Sequence, residues 1–181
     1  MKKYIRTYDN VLTKDQCNLI IEKFESSTDQ HIKTEYADTR LFTEININHH
    51  KDWQGFTLDI INTLNKSIEQ YIVDCNLTYN QWPKKYGFEN IRIKRYLPND
   101  KDEFKSHVDV GDYESARRFL VMFLYLDDNE AGETGFEEYN IKVKPKAGRL
   151  LMFPPTWTYL HTGYKPLHKP KYIVGSYLHY L

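Results

Sequence analysis

The second half of the chain consists of short segments of strand character that no helical segment interrupts. From Gln81 onward, apolar and polar residues alternate or form short apolar runs, which glycine, proline, aspartate and asparagine separate. The predicted strands cover about 89–96, 104–109, 117–126, 140–144, 148–153 and 171–180. The alternation of apolar and charged residues at 89–96 is typical of a strand with one wet face. Strands in such a series, without crossover helices, pair antiparallel in a closed barrel or in two stacked sheets. The pattern therefore predicts a mainly β architecture of the jelly-roll type.

Two helices are expected in the first half of the chain, where they would cover one face of that sheet. The run Thr-Lys-Asp-Gln at 13–16 has the form of a capping box, and an apolar stripe follows it at helical spacing. A longer amphipathic helix is predicted at about 52–75. Between the two, the alternation at 39–47 predicts a strand with Leu41, Thr43, Ile45 and Ile47 on one side. Without a linker or a repeat, residues 1–181 are expected to form one domain, with helical support at about 1–80.

Composition narrows the partners of such a domain. Lys and Arg together number 25, as do Asp and Glu, so no overall charge attracts the chain to nucleic acid or to an anionic membrane. A small molecule or a protein segment is the expected partner. Without an apolar run of signal-peptide or membrane-spanning length, we expect a cytoplasmic protein. Cys17 and Cys75 lie on apolar helix faces, which predicts reduced thiols in the core.

A metal site is the main chemical hypothesis that the sequence supports. His107 and Asp109 are two positions apart in a predicted strand, so their side chains point to the same face. A second imidazole from His161, on a returning strand, would complete the two-histidine, one-carboxylate triad that holds ferrous iron and leaves coordination positions open. Taken alone, His-x-Asp also occurs as a solvated polar pair at the end of a strand. His49 and His50, just before the long helix, are interpreted as solvated.

Several further motifs follow His107 and Asp109. They are the apolar run at 117–126, Gly132-Glu133-Thr134-Gly135-Phe136, the strand pair within 141–154, His161-Thr162-Gly163 and Lys171-Tyr172. In this order and at these intervals, the chain from about residue 88 to its end resembles the prolyl 4-hydroxylase-like branch of the iron(II)- and 2-oxoglutarate-dependent dioxygenases. The resemblance implies a double-stranded β-helix core, jelly-roll or cupin-like, at about 88–181 that packs against the N-terminal helices.

The resemblance also implies roles for a lysine and three tyrosines. Lys171 opens the final strand and matches a basic residue that pairs with the far carboxylate of 2-oxoglutarate; the alternative is a surface lysine in a basic loop. Tyr125 matches a tyrosine that hydrogen-bonds the same carboxylate, and Tyr96 one that lines the cosubstrate pocket. Tyr177, where many relatives carry tryptophan, is the candidate substrate-facing residue. Tyr125 and Tyr96 would also serve as core aromatics. The implied cofactors are Fe²⁺, 2-oxoglutarate and O₂, with ascorbate as a further expectation.

Three classes of function remain open from the sequence. The first is hydroxylation of a prolyl residue in a peptide or protein, with release of succinate and CO₂. The second is the same chemistry on a free amino acid, another side chain or a methylated base, although balanced charge disfavours nucleic acid. The third is a non-catalytic barrel that binds a metal or a partner. It predicts that one of His107, Asp109, His161 or Lys171 is missing or misplaced.

Overall fold

The computed structural model describes residues 1–36 and 39–181, and in these residues the chain forms two α-helices and twelve β-strands. The helices are α1 (Lys14–Ser26) and α2 (Gln54–Asp74). The strands are β1 (Arg6–Tyr8), β2 (Ile32–Tyr36), β3 (Arg40–Asn46), β4 (Tyr86–Phe88), β5 (Arg92–Tyr96), β6 (Phe104–His107), β7 (Arg118–Tyr125), β8 (Thr134–Phe136), β9 (Ile141–Val143), β10 (Leu150–Phe153), β11 (His161–Gly163) and β12 (Lys171–Tyr180). Short 3₁₀ turns join several of them, and neither α-helix is long and apolar enough to cross a membrane.

The strands form one antiparallel sheet that is nearly closed into a barrel. Its order is β1-β10-β7-β12-β5-β3-β6-β11-β8-β9, with β2 added beside β3 and β4 beside β12. A large half ends at β3 and a small half begins at β6, and the two halves are joined through the pairing of Arg40 with Phe104. The barrel therefore has a long wall and a short wall that face each other across its interior. The predicted mainly β architecture is confirmed.

The helices cover the outer face of the large half, as the sequence pattern predicts. At the start of α1, the backbone amide of Gln16 donates to the Thr13 hydroxyl, while the Gln16 side chain accepts from the Thr13 amide. The buried side chains of both helices then pack on the sheet in one cluster, the outer core. It contains Cys17, Ile20, Phe24, Ile60, Leu64, Ile68 and Tyr71 from the helices and Ile45, Ile93, Leu120, Met122, Leu124, Leu150, Met152 and Val174 from the strands. Cys17 and Cys75 are buried free thiols there, as predicted.

A second cluster, the inner core, fills the barrel between its two walls. It contains Phe42, Tyr96, Val121, Phe123, Tyr125, Phe136, Val143, Leu151, Phe153 and Ile173. Successive residues of β7 alternate between the two cores, so Leu120 through Tyr125 are all buried. A strand that is covered on both faces appears in the sequence as an unbroken apolar run. This explains why 117–126 lacks the alternation of the other strands.

The structure corrects one reading of the alternation at 89–96. The charged positions of β5 were expected on a wet face, yet Lys94 is only 8% exposed and Tyr96 only 3%. Both point into the barrel, because β5 lies between β3 and β12 in the wall that encloses the interior. Similarly, Phe42 on β3 is buried in the inner core, opposite the face that Ile45 buries against the helices. A polar face of a barrel strand can thus be an interior face.

Strand ends also differ from the prediction at the candidate site. The strand expected at 104–109 ends at His107, so Asp109 lies in the following loop. The backbone amide of Asp109 donates to the carbonyl of Pro155 at 3.2 Å, which fixes this loop without a ladder partner. β1, β2, β4 and β8 were not predicted, since strands of three to five residues show little periodicity.

Two leucines of α2 test how much the outer core contributes to stability. Leu64 is 2% exposed in the outer core, whereas Leu58 on the same helix is 56% exposed. Leu64→Ala should lower the free energy of unfolding by about 2–5 kcal/mol, because it leaves a cavity. Leu58→Ala should change it by less than about 0.5 kcal/mol. Urea denaturation followed by circular dichroism measures both, and equal losses would contradict the packing described.

Candidate metal centre and its pockets

Two histidines lie side by side on neighbouring strands of the short wall of the barrel. β11 pairs antiparallel with β6 in a register that sets His161 directly opposite His107, so both imidazoles lie on the same face. The Nδ1 atoms bond to backbone carbonyls, His107 to Lys105 at 2.7 Å and His161 to Tyr159 at 2.9 Å. A carbonyl only accepts, so each Nδ1 carries the proton, and each Nε2 of a neutral ring is left with a free lone pair.

Asp109 completes the cluster from the loop after β6. Its Oδ1 lies 3.6 Å from Nε2 of His107, and its Oδ2 lies 3.5 Å from Nε2 of His161. One ligand atom from each of the three residues lies within 4.8 Å of the others, and this is the only such group of three found in residues 1–36 and 39–181. Oδ2 of Asp109 and Nε2 of His161 are buried without a hydrogen-bond partner. Lone-pair atoms that converge in this way without a hydrogen-bond partner are suited to bind a metal ion.

The charge states of the cluster also suit a cation. Burial raises the pKa of Asp109, but His161, His107 and the Tyr177 hydroxyl outweigh it and bring that pKa to about 2. Burial lowers the pKa of His161, and the nearby Asp109 opposes this only in part. At neutral pH the site therefore offers an ionised carboxylate and a neutral imidazole, the forms that bind metals.

Side chains around the three residues hold them in place. The Phe104 ring stacks on the imidazole of His107, with centroids 3.4 Å apart. The Tyr177 hydroxyl donates to Oδ1 of Asp109 at 2.8 Å. The Arg118 guanidinium lies 4.2 Å from the Tyr177 ring, donates to the Asp109 carbonyl, and forms two 2.9 Å bonds with Glu89. Asp109 is thus restrained through both its carboxylate and its backbone.

Lys171 lies in a deep pocket of the barrel. It is 2% exposed, and its Nζ donates to the backbone carbonyls of Gly132 and Tyr164 at 3.0 and 2.7 Å. The ammonium also lies 4.4 Å from the centre of the Tyr96 ring. Burial lowers the pKa of Lys171 to about 7, because Asp127 and Glu133 compensate only partly. The surface alternative for Lys171 is therefore wrong.

The same deep pocket brings together most of the predicted residues. Its walls contain Tyr96, Phe104, His107, Tyr125, Thr134, His161, Lys171 and Ile173. The Tyr125 hydroxyl donates to Oγ1 of Thr134 at 2.7 Å, so it is a polar group inside an apolar wall. The non-catalytic alternative requires at least one of the four key residues to be misplaced. Instead, His107, Asp109 and His161 cluster, and Lys171 shares a pocket with the two histidines.

An outer cavity of about 470 Å³ opens on the other side of the cluster. His107, Asp109 and Tyr177 form part of its wall, and the role predicted for Tyr177 in facing a substrate stays a prediction. The rest of the lining is strongly charged and includes Arg40, Glu44, Glu89, Arg92, Lys94, Arg117 and Arg118. His49 is not part of either pocket and hydrogen-bonds with Asn46 and Asn90 before α2.

Sequence reasoning missed Lys94, Arg118 and Thr134 as residues of this site. A signal for Lys94 was available, because it lies two positions before Tyr96 and therefore on the same face of β5. Arg118 begins the apolar run of β7, where an arginine at the edge of a buried strand needs a partner. Thr134 carried no signal beyond its motif, since its bond to Tyr125 depends on the pairing between distant strands.

Comparison with solved structures supports the same fold. The chain is similar to the viral collagen prolyl hydroxylase of Paramecium bursaria Chlorella virus-1 in its 2OG complex, with a TM-score of 0.69 and 19% identity over 98% of this chain and 96% of that one. A Trichoplax adhaerens prolyl hydroxylase in complex with a hypoxia inducible factor peptide fragment has a TM-score of 0.74 and 17% sequence identity, over 98% of this chain and 84% of that one. A Pseudomonas putida prolyl-4-hydroxylase has a TM-score of 0.65 and 14% sequence identity, over 98% of this chain and 93% of that one. The predicted double-stranded β-helix is thus confirmed.

Sequence comparison matches the second half of the chain to one family model. No curated protein matches the chain significantly. Residues 91–179, which include the metal cluster, Lys171 and the three tyrosines, match the family model described as the 2OG-Fe(II) oxygenase superfamily. The part of the chain that carries the metal cluster and Lys171 is therefore similar to the 2OG-Fe(II) oxygenase superfamily.

Proposed function

We propose that the protein is an Fe(II)- and 2-oxoglutarate-dependent dioxygenase that hydroxylates a prolyl residue in a peptide or protein and releases succinate and CO₂. One observation carries the proposal. The orphaned ligand atoms of Asp109 and His161 converge with His107, and the buried ammonium of Lys171 shares a pocket with the two histidines. An oxygenase that uses a dicarboxylate cosubstrate needs both parts, a cation site and a deeper positive charge.

In this proposal, His107, Asp109 and His161 hold the ferrous ion and leave further coordination positions open. When bound, the ion with 2-oxoglutarate and O₂ supplies the oxidation of an unactivated C–H bond. The chain itself supplies orientation and a dry pocket. The carbonyls of Lys105 and Tyr159 fix the tautomers and the direction of the imidazoles, and the buried walls exclude water.

Lys171 would bind the far carboxylate of 2-oxoglutarate, with Tyr125 as a second donor. The Tyr125 hydroxyl now donates to Thr134, and it would redirect this hydrogen bond to the carboxylate. Tyr96 would pack beside the carbon chain while its ring stays under the Lys171 ammonium. Ascorbate is proposed as a supporting reductant on the ground of the resemblance alone.

The outer cavity would take the substrate. It adjoins His107 and Asp109, and Tyr177 is the aromatic residue that lies nearest Asp109 in its wall. The three solved structures with the same fold described above are named as prolyl hydroxylases, and one of them holds a peptide fragment. This motivates a prolyl residue in a peptide or protein as the substrate.

A peptide library tests the substrate directly. Incubation with Fe(II), 2-oxoglutarate and ascorbate should add about sixteen daltons to proline-containing peptides, the mass of one oxygen atom. Fragmentation in the mass spectrometer should assign the gain to the proline ring, with one succinate formed per hydroxyl group. Oxidation of another residue, or of free amino acids only, would replace the prolyl proposal and keep the dioxygenase.

Removal of one imidazole tests the metal site. His107→Ala should weaken Fe(II) binding more than about 100-fold, because even the loss of a hydrogen-bond partner behind a ligand costs about 10–100-fold. Succinate formation should disappear in parallel. His168→Ala removes an exposed imidazole outside the cluster and should retain both properties. Full turnover by His107→Ala would contradict the ligand assignment.

The pKa of Lys171 predicts how cosubstrate affinity depends on pH. The free amine has a pKa of about 7, and only its ammonium form pairs with a carboxylate, so binding takes up a proton above that pH. Affinity should be greatest below pH 7 and should fall about tenfold per pH unit as pH rises above it, until the pKa of the complex is reached. Calorimetric titration of the Mn(II)-loaded protein with 2-oxoglutarate measures this slope.

An arginine variant provides the control for that slope. The arginine of Lys171→Arg keeps its charge at every accessible pH, so the affinity of this variant for 2-oxoglutarate should not change with pH in the same range. In buffers of different ionisation enthalpy, the wild type should take up about one proton per 2-oxoglutarate and the variant none. Equal pH profiles for the two proteins would assign the carboxylate to another cation.

A further inference from the structure

Lys94 is a second buried lysine in the barrel, and the proposed chemistry does not use it. It lies in the middle of β5, directly opposite Glu44 of β3 on one side and Ile173 of β12 on the other. Only 8% of its surface is exposed, and its Nζ lies 4.9 Å from the centre of the Phe42 ring. Its side chain lines both the deep pocket and the outer cavity.

The ammonium of Lys94 has no ion pair and no hydrogen bond among the residues that the structure describes. The opposing Glu44 instead accepts from the hydroxyl of Thr34 at 3.1 Å. Burial lowers the pKa of Lys94, although Glu44 and Asp109 partly oppose this effect. An ammonium that is largely withdrawn from water and has no hydrogen-bond partner is costly, and that of Lys94 borders the outer cavity, so it is expected to serve a ligand.

The surroundings of Lys94 indicate the kind of ligand. Arg92 lies two positions earlier on the same face of β5, is exposed, lines the outer cavity, and makes no ion pair with a described residue. Arg118, by contrast, is occupied by Glu89. Lys94 and Arg92 are thus cations without an ion pair among the described residues, and the neighbouring Glu44 is an anion without one, since its Oε2 is buried without a hydrogen-bond partner. Because the cavity also contains Glu44 and Asp109, a single negative charge suits it better than a dianion.

We propose that Lys94, assisted by Arg92, binds a carboxylate of the substrate beside the C–H bond that is hydroxylated. The inference rests on the proposed dioxygenase function and specifies its substrate class. It assigns Lys171 to the cosubstrate and Lys94 to the substrate, since only Lys94 also lines the outer cavity. The carboxylate has two sources, the α-carboxylate of a free amino acid or an acidic side chain next to the reacting residue of a peptide.

A structural role is the competing explanation. If Lys94 only balances the charge of Glu44 across the β3–β5 pair, removal of either side chain should damage the protein in the same way. If Lys94 binds a substrate carboxylate, the two changes should have opposite effects. Loss of the ammonium removes the attraction, whereas loss of the Glu44 charge removes a competing anion from the same cavity.

Two matched pairs of probes distinguish these cases and the two sources. The first pair is L-proline and L-prolinamide. The second is a capped peptide with proline next to glutamate and the same peptide with glutamine. Binding is measured by calorimetry on protein loaded with Mn(II) and 2-oxoglutarate, and turnover is measured with Fe(II). The variants are Lys94→Met, Glu44→Gln and, as the control, Lys66→Met on the exposed side of α2.

Wild type and Lys66→Met should bind the carboxylate member of one pair about 10–100-fold more tightly than its amide, the range for a hydrogen bond to a charged group. The pair that is discriminated identifies the source. Lys94→Met should abolish this preference while keeping its affinity for 2-oxoglutarate, and Glu44→Gln should keep or increase the preference. Absence of a carboxylate preference in both pairs, its survival in Lys94→Met, or its equal loss in Glu44→Gln would each overturn the proposal.

The failure of this inference is distinguishable from failure of the proposed function. Hydroxylation of carboxylate and amide members alike would remove the anion site and leave the prolyl dioxygenase in place. Carboxylate-selective binding that depends on Lys94, without hydroxylation of any probe, would support the anion site and reject proline as the reacting residue.

Discussion

The pairing of β6 with β11 is the constraint on which the candidate site depends. It sets His107 directly opposite His161, with both imidazoles on the face that lines the barrel interior. A slip of one residue would turn one of them to the other face. Asp109 lies beyond the strand, so a different set of contacts must bring it to the same point. Its amide bonds to Pro155, its carbonyl to Arg118 and its carboxylate to Tyr177. Two residues are thus aligned by sheet register and the third by loop contacts.

The two cores make this arrangement rigid. The outer core fixes the long wall against α1 and α2, and the inner core fills the space between the walls up to the deep pocket. Strand β7 takes part in both, which explains its unbroken burial. In such an interior, polar groups are few and each has a large effect, because the low dielectric strengthens every interaction and raises the cost of every missing partner. Burial lowers the pKa values of Lys94, Lys171 and His161, and it also acts to raise the pKa of Asp109, where the neighbouring groups outweigh it.

Much of the fold could be predicted because its elements follow simple periods. The capping box at Thr13 and the stripe of α2 are local features, and the structure has both helices within a few residues of the prediction. The motif order also indicated His107, Asp109, His161 and Lys171, which the structure brings into adjoining pockets. At β5 the alternation did not predict burial correctly, because it distinguishes the two faces of a strand without showing which of them faces solvent. Lys94 was therefore assigned to a wet face, although its neighbour in the pattern, Tyr96, was assigned to the pocket.

The two buried lysines differ in how the chain accommodates them, and this difference argues for separate roles. Lys171 has two backbone carbonyls within hydrogen-bond distance, so its charge is held in one place whether or not it meets a carboxylate. This suits a cosubstrate that is the same in every cycle. Lys94 has only the face of Phe42 and the more distant charges of Glu44 and Asp109. Its ammonium gains far more from an added anion than Lys171 does, because it has no hydrogen bond to give up. An ammonium that lines the outer cavity without a hydrogen bond therefore favours a substrate that carries a carboxylate over a neutral substrate of the same shape.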